Sequence, residues 1–483
     1  MSQDLGGKAV RGVAWLGSGQ MVRLAVSFGT SVMLARLLAP SDFGLFTMTY
    51  LAAELAQLFA AFGFGSAIVQ QQATKPALLN SCFWANLAIG AVVGLVLIAS
   101  GPVVELYFQA EGITPLLGPL AINMLISAAM VVPGSLLTQR LQFQQLTTAQ
   151  VVGSVAAAIT AVAASAAGMG VWALALQPLV GNLVTGAMML KYSRWLPQWH
   201  FKFEDVRPLL HFSNSLLANN FIEFIGRNLP VLIIGRVLGA AAVGFYGMAS
   251  GMTGVVVYQI SSVIVRVLFP TLSALKDNRE AMCAAWFKAN SAIAVLAWPT
   301  MAGAIVVAPD LVPLVFGAQW TPSVVPFQVL CLLMSVMSVA FTASTMLMSL
   351  GRADLMLRIT MVSTLAYAVA LWFGAQYDIT AVAVAYAAVG IASLLTSVYV
   401  AARQAKVSFR ALLLDLRPWA LASVALGLIM AAVAYLMAGQ LPVVRLVVLI
   451  LVGAMLYPAL LWFTARARSL SLYEEVVGRI RKR

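Results

Sequence analysis

Long apolar runs separated by short polar breaks fill this chain from end to end. They fall near residues 9–35, 43–69, 80–100, 116–138, 148–167, 170–190, 210–235, 243–268, 284–307, 324–349, 356–374, 379–401, 418–437 and 444–464. Each is close to the roughly 20 residues that an α-helix needs to cross the hydrocarbon core of a bilayer, and far longer than a barrel strand. Hydrocarbon offers no hydrogen bonds, so every backbone N–H and C=O there must be satisfied within the protein. The pattern predicts an all-α integral membrane protein of about fourteen transmembrane helices. Breaks such as 39–42, 167–169 and 239–241 are short, which makes their flanking helices antiparallel neighbours.

The basic residues test this map. With the N-terminus in the cytoplasm, 22 of the 29 Lys and Arg fall in inner segments, three (Arg36, Arg236, Arg445) in outer loops and four within spans. Lys and Arg concentrate on the cytoplasmic side of membrane proteins. A miscounted span would invert every later loop and blur the asymmetry. An even span count with both termini cytoplasmic is therefore expected. Residues 193–208 mix aromatic and charged side chains, as a linker lying in the lipid interface would. In the tail 467–483, Leu470, Tyr473, Val476, Val477 and Ile480 recur at helical spacing before a basic end. That pattern predicts an amphipathic helix on the anionic inner leaflet.

One segment occurs twice. Residues 35–48 and 235–248 share Arg36 with Arg236, Leu38 with Leu238, Gly44 with Gly244 and Met48 with Met248, and Phe46 answers Tyr246. The copies occupy the outer turn between spans 1 and 2 and that between spans 7 and 8. Six spans separate them, so both have the same orientation. The repeat predicts two pseudo-symmetric six-helix lobes related by an axis along the membrane normal. The expected organisation is an N-lobe over 1–192, the linker 193–208, a C-lobe over 209–402, two further helices over 403–466 and the tail 467–483. A central cavity between the lobes would open to alternate sides as they rock.

Six ionisable residues lie inside spans: Arg23, Glu54, Glu223, Arg227, Arg266 and Lys288. Each costs about 2.5–3.5 kcal/mol at a helix centre on insertion scales, so such groups face a cavity or a partner. They fall on polar stripes at helical period: Gln20, Arg23, Ser27 and Thr30 on span 1; Thr47, Tyr50, Glu54 and Gln57 on span 2; Ser213, Asn220, Glu223 and Arg227 on span 7; Gln259, Ser262 and Arg266 on span 8. In lipid such a face must turn inward. The candidate cavity residues are Arg23, Glu54, Asn220, Glu223, Arg227, Arg266 and Lys288, a set biased towards positive charge and suited to an anionic headgroup. Arginine can bond two phosphate oxygens at once. The competing structural reading pairs Glu223 with Arg227 at i and i+4, and Arg23 with Glu54 across spans 1 and 2. Arg266 and Lys288, near span ends, could instead reach the interface. Glu54 and Glu223 are candidates for ion coupling. Pro230 makes span 7 the expected moving helix, since an intramembrane proline removes a backbone bond and permits a bend.

Composition narrows the function. The chain is 62% hydrophobic and 9% charged, against about 25% charged in a soluble domain. Its net charge of +13 comes from basic residues that punctuate the spans, which reads as topology and not as nucleic-acid binding. No Ser/His/Asp set, nucleotide loop or metal-ligand spacing occurs, so no cofactor is implied. Cys82, Cys283 and Cys331 sit in or beside apolar runs as small buried thiols. Glu105, Glu111 and Asp310 are scattered acids in short outer loops. A transporter fits this chain better than an enzyme.

Four stretches carry a resemblance: residues 34–36 with 43–45, Phe62-Gly63-Phe64-Gly65-Ser66-Ala67-Ile68-Val69-Gln70, residues 265–270, and Val312-Pro313-Leu314-Val315-Phe316-Gly317-Ala318-Gln319-Trp320. Their order resembles the polysaccharide-transporter branch of the multidrug/oligosaccharidyl-lipid/polysaccharide superfamily, from span 1 to about residue 360. Within that branch the stretches resemble Wzx-type exporters of the colanic acid group. The resemblance implies fourteen helices in two lobes and a flippase moving polyprenyl-pyrophosphate-linked glycan across a bacterial inner membrane. It implies pyrophosphate contacts at Arg23 and Arg227, with Arg266 and Lys288 as further candidates. A polysaccharide polymerase and a chain-length regulator would be its partners, besides membrane lipids. A cation-coupled drug exporter of the same superfamily would have a more acidic cavity. A membrane glycosyltransferase or polymerase would have a large outer loop or an acidic cluster.

Overall fold

The computed structural model describes the backbone of residues 2–60, 65, 68–69, 75–204, 206 and 214–481. Side chains are described within 15–463, apart from 60, 207–220, 222, 255, 256, 260 and the gaps just given. The helices are α1 (Ser2–Leu37), α2 (Pro40–Ala60), α3 (Pro76–Ala99), α4 (Gly101–Phe108), α5 (Ile113–Gln139), α6 (Phe143–Ala166), α7 (Trp172–Ser193), α8 (Asn214–Val237), α9 (Ala240–Ala274), α10 (Arg279–Phe316), α11 (Val324–Ser349), α12 (Ala353–Gly374), α13 (Ile379–Gln404), α14 (Phe409–Leu436) and α15 (Pro442–Arg481). Among the described residues there is no strand. Among the described residues, eleven helices are long and apolar enough to cross a membrane. The other three of at least 21 residues are α1, α2 and α8. These three carry Arg23, Glu54, Glu223 and Arg227.

The chain forms two compact units, residues 1–244 and 245–483. In the first, α6 packs along α7, α7 on α5, α5 on α3, and α1 on α6. Small residues make the α6–α7 crossing tight. A Cβ added at Gly153 would stand 1.9 Å from Thr185 Oγ1 and 2.6 Å from the Gly181 carbonyl oxygen. Helices approach closely in membranes where side chains are small. The helix α8 packs on α2 and α4. Arg236 Nη1 fastens it by donating to the Tyr107 carbonyl at 3.0 Å.

The repeated segment meets itself. A Cβ on Gly44 would lie 1.7 Å from the Ala240 carbonyl oxygen, and one on Gly244 would lie 2.0 Å from the Pro40 carbonyl oxygen. The two contacts are the same contact shifted by 200 residues, with each glycine facing the backbone at the start of the other copy's helix. Such reciprocity is what a local two-fold relation between like segments produces. Only a residue without a side chain fits at either place.

The linker is held, not loose. Trp84 Nε1 donates to the Gln198 carbonyl at 2.8 Å, and Gln198 N–H donates to Asn80 Oδ1 at 3.0 Å. Trp84 and Trp199 stack with ring centroids 4.2 Å apart. At the far end of α3, Glu105 accepts from the backbone N–H groups of Thr114 (2.9 Å) and Gly112 (3.0 Å). This acid therefore caps the start of α5.

In the second unit α10 is the central rod, packed by α11, α14 and α15. It runs over Arg279–Phe316, longer than the predicted 284–307, and α14 starts at Phe409 where 418 was predicted. The extension puts Asp415 inside a helix. Its Oδ2 accepts from Ser291 Oγ at 3.0 Å, and Ser291 Oγ accepts from Trp419 Nε1 at 3.1 Å. Arg445 on α15 grips Asp310 on α10 through two hydrogen bonds, which accounts for a second of the three scattered acids. The predicted tail helix continues α15 without a break to Arg481; its side chains lie outside the described residues.

Gly44→Ala and Gly244→Ala should each destabilise the protein by about 1–3 kcal/mol, the usual cost of forcing an extra methyl into a packed contact. Gly251→Ala, with open space at its Cβ, should not. Thermal unfolding in detergent compares the three. Glu105 gives a pH prediction. The backbone N–H of Thr114, with that of Gly112 beside it, holds the Glu105 carboxyl below its ordinary range, more than offsetting its burial. Its stabilising contribution is therefore present above about pH 4.3, the unfolded value, and is lost as pH falls through the lower folded value. Glu105→Ala should lower the unfolding midpoint at pH 7, and the deficit should shrink at pH 3.

Candidate functional site

One face of α2 carries the polar chemistry of the first unit. Glu54 forms an ion pair with Arg227 of α8 through its Oε1 and the arginine Nη2. Asn228, the next residue on α8, reaches the other carboxylate oxygen at 3.5 Å and donates to the Phe224 carbonyl at 3.1 Å. The pair is half-open: the side chain of Arg227 is 60% exposed and that of Glu54 27%. One turn earlier on α2, Tyr50 lies within electrostatic reach of both charges.

Tyr50 also lines a cavity of about 460 Å³ bounded by α1, α2, α5, α6 and α7. Arg23, Phe46, Gln150, Gln177 and Asn182 are among its walls. Arg23 Nη1 donates to Gln150 Oε1 at 2.7 Å. Asn182 Nδ2 donates to Asn123 Oδ1 at 2.9 Å and lies 3.4 Å from Ser127 Oγ. A second cavity, of about 570 Å³, shares Met130, Gln150 and Met189 with the first and continues along α5 to Thr138. Together they form a slot inside the first unit, apolar for most of its surface, with its amides and Arg23 gathered in the first cavity.

The competing structural reading paired the charges differently. Arg227 is bonded to Glu54 and not to Glu223, although Glu223 sits one turn away on the same helix and is exposed. Arg23 is bonded to Gln150 and not to Glu54. The packing supplies both reasons: α8 lies against α2, and α1 lies against α6. Each arginine takes the acceptor on the helix it faces. Arg266 on α9 and Lys288 on α10 are exposed residues of the second unit. Pro230 is buried within an unbroken α8. The side chain of Asn220 lies outside the described residues.

Gln150, Gln177 and Asn182 escape the sequence reading because its polar stripes follow only spans 1, 2, 7 and 8, which carry ionisable residues, whereas these amides lie on helices without one. Uncharged amides in an apolar run were the available signal. Asp415 was missed because its helix begins nine residues earlier than the hydropathy pattern suggests.

Residues 33–325, more than half of the chain, match the family described as Polysaccharide biosynthesis protein. The chain belongs to that family. The matched stretch contains Glu54 and Arg227 and begins after Arg23. Among curated proteins, the chain is 26% identical over 380 residues to the Lipopolysaccharide biosynthesis protein WzxC of Escherichia coli, covering 76% of this chain and 75% of that one. It is 28% identical over 330 residues to the Succinoglycan biosynthesis transport protein ExoT of Rhizobium meliloti, covering 66% and 65%. The fold matches the inward closed conformation of the lipid II flippase MurJ, with a TM-score of 0.73 at 14% identity over 94% of this chain and 99% of that one. It also matches an inward-facing multidrug-resistance transporter of the MATE family, with a TM-score of 0.59 at 14% identity over 82% and 98%. The family therefore agrees with the resemblance read from the motifs. The protein is a multi-pass membrane transporter with the all-helical fold of these two solved structures, not an enzyme.

Since Arg227 is matched by Glu54, Glu223→Ala should leave the unfolding midpoint unchanged. Glu54→Ala should lower it only slightly, because partly exposed ion pairs contribute up to about 1 kcal/mol. Thermal unfolding of the two variants separates these outcomes. A larger loss with Glu223→Ala would mean that the pair along α8 is the stabilising one.

Proposed function

We propose that this protein is a flippase of the bacterial inner membrane. It carries polyprenyl-diphosphate-linked oligosaccharide units from the cytoplasmic to the periplasmic leaflet by alternating access, for surface polysaccharide synthesis. The observation that carries the reading is the half-open Arg227–Glu54 pair, set on two membrane helices in a chain of the polysaccharide biosynthesis family. The names of ExoT and MurJ, which describe a transport protein and a lipid flippase, support the same class of work.

In the free protein Glu54 occupies the guanidinium of Arg227. An incoming diphosphate offers more negative charge and more acceptor oxygens than one carboxylate, and it matches the planar fork of arginine. It therefore displaces Glu54. The freed carboxylate is then the group that can take up a proton, which would couple transport to a proton gradient. The domain plan fits this cycle: lobes 1–192 and 209–402 joined by the linker, with 403–466 as added helices and α8 bending at Pro230. Arg266 and Lys288 supply the second lobe's positive charge to the passing headgroup. Both termini stay in the cytoplasm, where the Lys- and Arg-rich loops lie. The delivered unit passes to a polysaccharide polymerase and its chain-length regulator.

Replacing Arg227 with Ala should reduce surface polysaccharide at least tenfold at normal protein level, and lipid-linked units should accumulate on the inner leaflet. Arg227→Lys should retain part of the activity, as a point charge without the fork. Normal polysaccharide from Arg227→Ala would remove this residue from the site.

A further inference from the structure

The slot inside the first unit is built from chemistry that the diphosphate does not use. Its walls carry three carboxamides (Gln150, Gln177, Asn182), the hydroxyls of Ser154 and Thr185, the rings of Phe46 and Tyr50, and one guanidinium, Arg23. No Asp or Glu is among them. Arg23 has five N–H donors, and its hydrogen-bond partner is the neutral amide of Gln150. Among the described residues, the slot therefore holds one positive charge with no counter-charge in its walls. The acid one turn from Tyr50, Glu54, is already taken by Arg227.

A diphosphate only accepts hydrogen bonds, so the carbonyl half of each wall amide would repel it. A sugar ring both donates and accepts, and each carboxamide answers both roles. Phe46 and Tyr50, with ring centroids 5.8 Å apart and planes tilted by 31°, offer an apolar wall for the C–H face of a pyranose. The volume of about 460 Å³ falls within the roughly 300–1,000 Å³ of small-molecule sites. The unmatched charge then selects among sugars, because a guanidinium binds a carboxylate in two parallel hydrogen bonds.

We propose that this slot is a seat for one acidic sugar of the glycan, a uronate whose carboxylate lies on Arg23 and whose hydroxyls meet Gln150 and Gln177. The assignment rests on the flippase reading and separates two anionic groups of one substrate: the diphosphate goes to Arg227 and the sugar carboxylate to Arg23.

The test is saturation-transfer NMR on the purified full-length protein in nanodiscs, with methyl β-D-glucuronide, methyl β-D-glucoside and inorganic pyrophosphate as probes. The glucuronide should receive saturation at its ring protons. The signal should fall at least fivefold for the uncharged glucoside, and at least fivefold for the glucuronide on Arg23→Gln. Gln177→Leu should weaken it. A thermal unfolding scan identifies any variant that has lost its fold; if Arg23→Gln has, Gln177→Leu and the glucoside comparison still decide. The proposal is overturned if the glucoside binds as well as the glucuronide, if a folded Arg23→Gln keeps the full signal, if pyrophosphate displaces the glucuronide, or if none of the sugars receives saturation. Binding is read here without transport. A normal export phenotype of Arg227→Ala would thus sink the diphosphate assignment and leave this result standing, and the reverse also holds.

Discussion

A charge on a helix that crosses lipid must find a partner or water, because hydrocarbon solvates it at a cost of several kcal/mol. That constraint organises the first unit. Arg227 is far from Glu54 in sequence, yet the two helices that carry them are packed together and their charges are joined. The pair gives α8 an electrostatic reason to lie on α2, and Arg236 adds a second fastening through the Tyr107 carbonyl. The polar face of α2 then needs a hydrated side, which the slot beside Tyr50 provides.

Close backbone contact makes these pairings reachable. Lipid tails are as apolar as leucine, so helices in a membrane gain little by hiding large apolar side chains from one another. They associate through packing of small residues instead. Gly153 and Gly181 draw α6 and α7 together and so shape one wall of the slot. Gly44 and Gly244 set the start of each repeat copy against the other. The 200-residue repeat is thus more than a trace of duplication. Its two matching glycine positions are where the copies touch, and a side chain at either would hold them apart.

Most of the architecture was legible in the chain because hydrophobicity and helix length are tied to bilayer thickness. Among the described residues, the runs of about 20 apolar residues correspond to helices. What misled was the use of hydropathy as a ruler for helix ends: α10 and α14 continue past their apolar stretches, so Asp415 was assigned to a loop although it bonds Ser291 inside the second unit. The individual charges were legible and their partners were not. Spacing along one helix made Glu223 the natural mate of Arg227, but the decision lies with the neighbouring helix, and neighbour identity is a tertiary fact. The amides of the slot were overlooked for a related reason. An uncharged Gln or Asn costs little enough in a span to pass unnoticed, yet three of them facing one space define its chemistry.

Two arginine–carboxylate pairs in this protein show how burial separates a fastener from a switch. Arg445 and Asp310 share two hydrogen bonds, with side chains 21% and 6% exposed. Removing one partner would leave the other charged and nearly dry, which costs several kcal/mol, so this pair stays made and ties α15 to α10. Arg227 and Glu54 use the same chemistry at 60% and 27% exposure. Water already competes for both groups, so the net worth of the pair is small and a better anion can replace the carboxylate without leaving either charge stranded. A group meant to meet a passing substrate must be held firmly enough to be positioned and loosely enough to let go. Of the two pairs, only the one between α2 and α8 meets both conditions.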